Sequence, residues 1–235
     1  MIRRLAIIGW VIFSALVCRA QFTDNFDDGD YTNNPTWAPD HTANWTVVGG
    51  QLRSNNITAN STFYISTPSA QALNAQWEFL VNLPFNTSSA NFVDVYLMST
   101  NANMVASNGY FVRIGGTPDE ISLYRSSGAT SSVIINGTDG VTNTSNNTIK
   151  IKVTRDINHV WTLERDITGS GGSYFTEGTA VDNTFTTSSF FGIRVTQSTA
   201  SFFQRHFFGN FYVGAIIGDI VPPSLSAISV ITNSQ

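Results

Sequence analysis

The chain has 235 residues, 42% of them hydrophobic and only 12% charged, with a formal net charge of −4. Lys150 and Lys152 are its only lysines, so nothing resembles the basic patch that nucleic acid requires, and a nucleic-acid partner is not expected. One cysteine excludes an internal disulfide framework, which leaves burial to stabilise the fold.

The first twenty residues carry an address. Arg3 and Arg4 precede an apolar run over residues 5–17, and Cys18-Arg19-Ala20 ends on a small residue with another at minus three. This reads as a secretion signal, residues 1–20, cut between Ala20 and Gln21. Cys18 as a lipid acceptor ranks second, because the bulky Val17 stands in front of it. The run is too short to span a bilayer, and no later segment approaches the roughly 20 apolar residues of a spanning helix, so the mature chain is expected to lack one. Cleavage removes Arg3, Arg4 and Arg19, which takes the net charge from −4 to −7, and it removes the only thiol. A secreted or cell-surface location follows.

From Phe22 to Val213, short runs rich in Val, Ile, Phe, Tyr and Thr alternate with clusters of Gly, Asn, Ser or Pro. The clearest period-two runs are Trp77, Phe79, Val81; Val93, Val95, Leu97; Tyr110, Val112, Ile114; Ile121, Leu123; and Ile149, Ile151, Val153, each a half-buried strand. Further strands fit residues 45–48, 63–66, 132–135, 160–163, 190–195 and 207–213. Gly49-Gly50 marks a tight hairpin turn, and residues 156–159 mark another. About a dozen strands without a helical stripe predict an all-β fold: two packed antiparallel sheets over residues 21–214. Ile220-Val221-Pro222-Pro223 cannot continue a paired strand, and residues 224–231 begin a fresh alternation. Residues 215–235 are therefore read as a linker and the start of a truncated immunoglobulin-like module, with further domains of the same polypeptide beyond Gln235.

Several phrases carry a resemblance. Asp24-Asn25-Phe26-Asp27-Asp28-Gly29-Asp30, Trp45-Thr46-Val47-Val48-Gly49-Gly50-Gln51-Leu52-Arg53, Gly109-Tyr110-Phe111-Val112-Arg113-Ile114-Gly115-Gly116 and Asp119-Glu120-Ile121-Ser122-Leu123-Tyr124-Arg125 resemble LamG-like modules of bacterial secreted surface proteins, within the concanavalin A-like lectin/glucanase superfamily. The similarity runs from about Phe22 to Val213 and implies a jelly roll. In such jelly rolls the first and last strands commonly pair, and a calcium ion can bridge them. Asp24, Asp27, Asp28 and Asp30 would supply oxygen ligands for Ca²⁺. The last strand, Phe208-Gly209-Asn210-Phe211-Tyr212-Val213, lacks the acidic pair that relatives often carry, so a solvated acidic turn stays open as the other reading.

If Val93, Val95 and Leu97 face the core, Phe92, Asp94, Tyr96 and Met98 face away. Glu78, Arg113, Glu120, Tyr124, Lys152, Glu164 and Arg194 leave the core on their own strands by the same alternation. If these strands share a sheet, its outer face offers rings for the C–H faces of sugars and charged groups for their hydroxyls, with Glu78, Asp94, Tyr96, Arg113 and Tyr124 as ligand-binding residues. A cross-strand charge lattice on a solvated face is the alternative. Trp37, in the loop over residues 34–39, is expected to cap the site.

Hydrolysis needs two carboxylates at catalytic separation, and no strand carries an alternating set; a pair across strands, such as Glu78 with Asp94, is the remaining route. His41, His159 and His206 fit no metal-ligand spacing or Gly-x-Ser-x-Gly elbow. No catalytic residue is assigned. The expected function is a non-catalytic carbohydrate-binding or adhesive module whose partner is a glycan or polysaccharide; the alternatives are a glycan-cleaving enzyme of the same fold and a purely structural spacer.

Overall fold

A computed structural model of the chain describes residues 20–218. The secretion signal up to Arg19 and the alternation over residues 224–231 lie outside the described residues. Within them, fifteen strands follow in order: β1 (Ala20–Asp24), β2 (Ala38–Pro39), β3 (Trp45–Val48), β4 (Gln51–Ser54), β5 (Ser61–Pro68), β6 (Ala75–Leu83), β7 (Phe92–Ser99), β8 (Gly109–Gly115), β9 (Glu120–Ser127), β10 (Thr130–Ile135), β11 (Asn147–Arg155), β12 (Val160–Asp166), β13 (Phe175–Val181), β14 (Phe190–Gln197) and β15 (Phe207–Ala215). Two single-turn 3-10 helices, Thr42–Asn44 and Ala200–Phe202, are the helical segments among them.

The strands form two antiparallel sheets. The first runs β13-β12-β11-β6-β15-β4-β3, and the second β10-β9-β8-β7-β14-β5-β2. One edge of β15 is shared: β4 pairs with it at Phe207 and Phe208, and β1 from Phe211 to Gly214. The first and last strands therefore lie side by side, with Ala20 opposite Gly214 and Asp24 opposite Phe211. The expected Gly49-Gly50 turn joins β3 to β4, with φ of 58° and 71° that suit glycine and close the tight hairpin.

Period-two alternation sends one set of side chains between the sheets. Trp77, Phe79 and Val81 of β6 and Ile149, Ile151 and Val153 of β11 share a core with Val93 and Val95 of β7, Val112 and Ile114 of β8, and Ile193 and Val195 of β14. Burying each such side chain contributes roughly 1.5–3 kcal/mol. Trp77 and Trp161 stack at 5.6 Å, as their inward alternation predicts.

Two expectations need correction here. Trp37 does not cap an open site: it is 2% exposed, packs against Phe22, Phe26, Phe191 and Phe211, and donates its indole N–H to the Asp24 carboxylate at 2.7 Å. Polar loop composition hides an aromatic that plugs the end of the sandwich. Met98 does not face outward either. The β7–β8 register shifts between Tyr96 and Met98, and this bulge turns Met98 into the core, where the buried Arg155 guanidinium lies 3.5 Å from its sulfur.

Candidate functional site

The outer face of the second sheet is built by strand register. One row crosses five strands: Tyr64 of β5, Arg194 of β14, Asp94 of β7, Arg113 of β8 and Ser122 of β9. The next row brings Gly192, Tyr96, Phe111 and Tyr124 into line. Alternation fixes the direction of these side chains, because their neighbours on each strand point into the core.

Asp94 is the hub. Its carboxylate is fully buried and accepts four hydrogen bonds: from Arg113 Nε (2.7 Å) and Nη2 (3.0 Å), and from Arg194 Nε (3.1 Å) and Nη2 (2.5 Å). Burial alone would lower the Arg113 pKa, but the hydrogen bonds and charge of Asp94 outweigh it and hold the guanidinium above the ordinary arginine value. The cations also lie over rings: Arg113 is 4.4 Å from the Phe92 centroid and 5.2 Å from that of Tyr124, and Arg194 is 5.4 Å from that of Tyr96. Phe111 and Tyr124 stack at 5.2 Å with a 3° interplanar angle, and Tyr96 meets Phe111 at 4.9 Å. Burial raises the pKa of both Tyr96 and Tyr124, so neither hydroxyl ionises at neutral pH.

Of the six residues expected to bind a ligand, Asp94, Tyr96, Arg113 and Tyr124 share this face. Arg113 and Tyr124 are partly open to solvent; Asp94 and Tyr96 are buried and can act only through the groups they hold or through movement of what covers them. Glu78 is on the other sheet, where Lys150 approaches it at 3.3 Å. Outward alternation gives a side chain's face but not its sheet. There Lys152 pairs with Glu164 at 2.9 Å and lies 4.3 Å from the Tyr174 ring, on a loop anchored by Asp166, whose carboxylate accepts backbone N–H groups from Thr168, Gly171, Gly172 and Ser173. The proposed acid pair of Glu78 with Asp94 is thus split between sheets. Glu120 lies on the same face as Asp94, 2% exposed, with Oε2 unpartnered; no contact explains it. Reasoning on the sequence left Tyr64, Phe111, Phe190 and Met104 unassigned. Alternation on β5, between Phe63 and Ile65, was the available signal for Tyr64.

The acidic turn does not make a shared cation site. Asp24, at the end of β1, is 8% exposed and accepts from Trp37 Nε1 and the Phe26 N–H; burial raises its pKa against those bonds. Asp27 accepts from Asn25, Asp28 from the Asp30 N–H, and Asp30 turns to Thr32 and Asn33, with the Thr32 bonds lowering its pKa. Asp24, Asp27 and Asp28 line a hollow of about 420 Å³ with Asn25, Asn34 and Asn210. Even so, among the described residues no three acidic, His or Cys side chains are grouped to hold a metal ion. Asp24 is held by Trp37 and Phe26, Asp27 by Asn25, Asp28 by Asp30, and Asp30 by Thr32 and Asn33, so the four carboxylates do not converge as the expected Ca²⁺ ligand set would.

No family model matches the sequence, and a search of curated proteins returns no match. Solved structures do match the fold. The exoplasmic/lumenal domain of VIP36, in a form with Ca²⁺ and Man3GlcNAc bound, superposes with a TM-score of 0.59 at 12% identity, covering 83% of this chain and 89% of that one. The carbohydrate-binding module CBM66 from Bacillus subtilis gives 0.53 at 12%, covering 76% and 94%. The carbohydrate recognition domain of Emp47p gives 0.53 at 12%, covering 82% and 92%. At such identity the likeness is one of architecture: the chain folds as the two-sheet jelly roll that these three domains share.

Proposed function

We propose that the protein is a non-catalytic carbohydrate-binding or adhesive module of a secreted or cell-surface multidomain protein. In this reading it is a LamG-like jelly roll that takes a glycan or polysaccharide on the outer face of its second sheet. The observation that carries the reading is the Arg194–Asp94–Arg113 row with the partly exposed Tyr64 and Tyr124 beside it. A pyranose presents C–H faces and a rim of hydroxyls; rings cover the first and fixed N–H donors bond the second. Asp94 orders both guanidiniums before a ligand arrives, and ordering a long side chain on binding costs roughly 0.5–1.5 kcal/mol.

The same lock favours binding over hydrolysis. The Asp94 carboxylate is engaged by four bonds from two guanidiniums, whereas glycoside cleavage needs two carboxyl groups free to flank the bond. The shared architecture with carbohydrate-recognition domains supports the binding side. Calcium has no step in this reading, because the acidic turn offers no converging ligand set.

A glycan array read in parallel with a reducing-sugar assay tests the proposal. The expected result is retention of at least one glycan class without released reducing ends, with Tyr124→Ala and Arg113→Lys each losing most of the binding while each still unfolds in one cooperative transition. Release of reducing ends, or no binding to any glycan, overturns it.

A further inference from the structure

Met104 belongs to the loop between β7 and β8, residues 100–108, yet it is fully buried on the outer face of the second sheet. It packs on Tyr96 and Phe111, with the half-buried Tyr64, Tyr124 and Phe190 around them. The sheet makes room for it: Gly192 stands opposite Tyr96, and a Cβ there would come within 2.6 Å of the Met104 methyl carbon. The result is an aromatic socket with a glycine floor and one thioether side chain inside.

The attachment of the loop is lopsided. Its base is clamped by Ser99 Oγ to Ser107 Oγ (2.5 Å), Thr100 N–H to the Asn108 carbonyl (3.0 Å), Ser126 Oγ to the Ser107 carbonyl (2.7 Å) and Gly128 N–H to Asn108 Oδ1 (2.8 Å). The tip is different. Asn103 N–H to Asn101 Oδ1 and Val105 N–H to Asn103 Oδ1 run within the loop, and Asn101, Asn103, Val105 and Ala106 are exposed. Met104 ties the tip to the sheet, through its side chain and through its carbonyl, which accepts from Arg194 Nη1 at 3.1 Å.

We infer that the loop over residues 100–108 is a displaceable plug, and that the socket Met104 fills is the subsite for the C–H face of a sugar ring. The inference rests on the glycan-binding reading above. Lifting the tip exposes the Tyr96, Phe111, Tyr64 and Phe190 rings. It also frees Arg194 Nη1 to donate to a hydroxyl while Asp94 keeps the guanidinium in place. Asp94 takes the Nε–Nη2 edge of each arginine, so the N–H groups left for a sugar hydroxyl are those on the outer edge. Because a binding-competent state populated at a fraction f weakens apparent affinity by that fraction, a plug closed nine-tenths of the time costs about tenfold.

Two measurements decide it. Met98 and Met104 are both fully buried, so limited hydrogen peroxide treatment followed by peptide mass analysis gives an internal comparison in the wild-type protein. A plug predicts Met104 sulfoxide forming at least tenfold faster than Met98 sulfoxide; equal, slow oxidation of both overturns the inference. In titrations with soluble mannan, xylan and β-1,3-glucan, Met104→Ala should bind at least tenfold more tightly than the parent, and the bound polysaccharide should speed Met104 oxidation in the parent. An affinity that is unchanged or weaker in Met104→Ala overturns the plug even where the parent binds. Should neither protein bind any probe, the glycan-binding reading falls and the oxidation ratio alone decides whether the loop opens.

Discussion

His206 makes the fold acid-sensitive in a way that can be calculated and isolated. It sits just before β15, fully buried, with Nδ1 2.9 Å from Ser54 Oγ, its ring edge-on to Phe85 at 5.1 Å and Nε2 unpartnered. Burial, helped by the neighbouring Arg205 charge, pushes its pKa down to about 3 from an ordinary 6.5. The folded state therefore binds this proton less readily than the unfolded chain. Its contribution is fully present above pH 6.5 and is lost as pH falls from 6.5 towards 3. With those two values the loss is about 2 kcal/mol by pH 5 and approaches roughly 5 kcal/mol near pH 3. Urea unfolding followed by tryptophan fluorescence at pH 7.5 and pH 5.0 measures it, with His206→Asn as the comparison. Asparagine keeps a hydrogen-bond partner for Ser54 and does not titrate. Asp24, whose raised pKa acts in the opposite direction, is common to both proteins and cancels. The parent should lose about 2 kcal/mol more than the variant between the two pH values. Equal losses, within about 0.5 kcal/mol, would refute a neutral buried imidazole.

Asp94→Asn should destabilise the protein by about 3–5 kcal/mol, since it leaves Arg113 and Arg194 side by side without their counter-charge; a loss under about 1 kcal/mol in urea melts would show that the hub is solvated. Trp37→Phe keeps most of the ring packing but strips the Asp24 carboxylate of a buried donor, at a cost of about 1–3 kcal/mol, and an unchanged urea midpoint would speak against that bond. Melting temperatures should agree with chelator and with millimolar Ca²⁺. A bound ion at 100 times its dissociation constant adds about 2.7 kcal/mol, so a clear upward shift would mean that the acidic turn rearranges into a site.

The strands were legible because apolar alternation and turn chemistry agree along most of the chain, as in β6, β8 and β11. β13 was not, since Phe175-Thr176-Glu177-Gly178-Thr179-Ala180-Val181 is an edge strand with no buried side and so no hydrophobic period to read. The site was half legible. Alternation put Asp94, Tyr96, Arg113 and Tyr124 on one face, but it carries no information on sheet membership, which separated Glu78 from them. Nor does it report what a distant loop lays across an outward residue: Tyr96 points away from the core and is still 1% exposed, because Met104 covers it. Alternation alone would make Arg113 a surface arginine with little effect on stability. Its pairing with a buried carboxylate removes that expectation and makes lysine, rather than alanine, the informative replacement.

The pairing of β1 with β15 has a mechanical consequence. With Phe22 opposite Val213 on neighbouring antiparallel strands, the two ends of the domain leave from the same pole. Tension applied between those ends would therefore act across the β1–β15 ladder at its open end and part its hydrogen bonds one rung at a time, instead of loading them all together in shear. Peeling would reach Asp24 at the far end of the ladder, and with it the Trp37 indole that closes the core. A surface protein that needed this module to bear load would have to route the force through one end and the ligand face, leaving the other end slack.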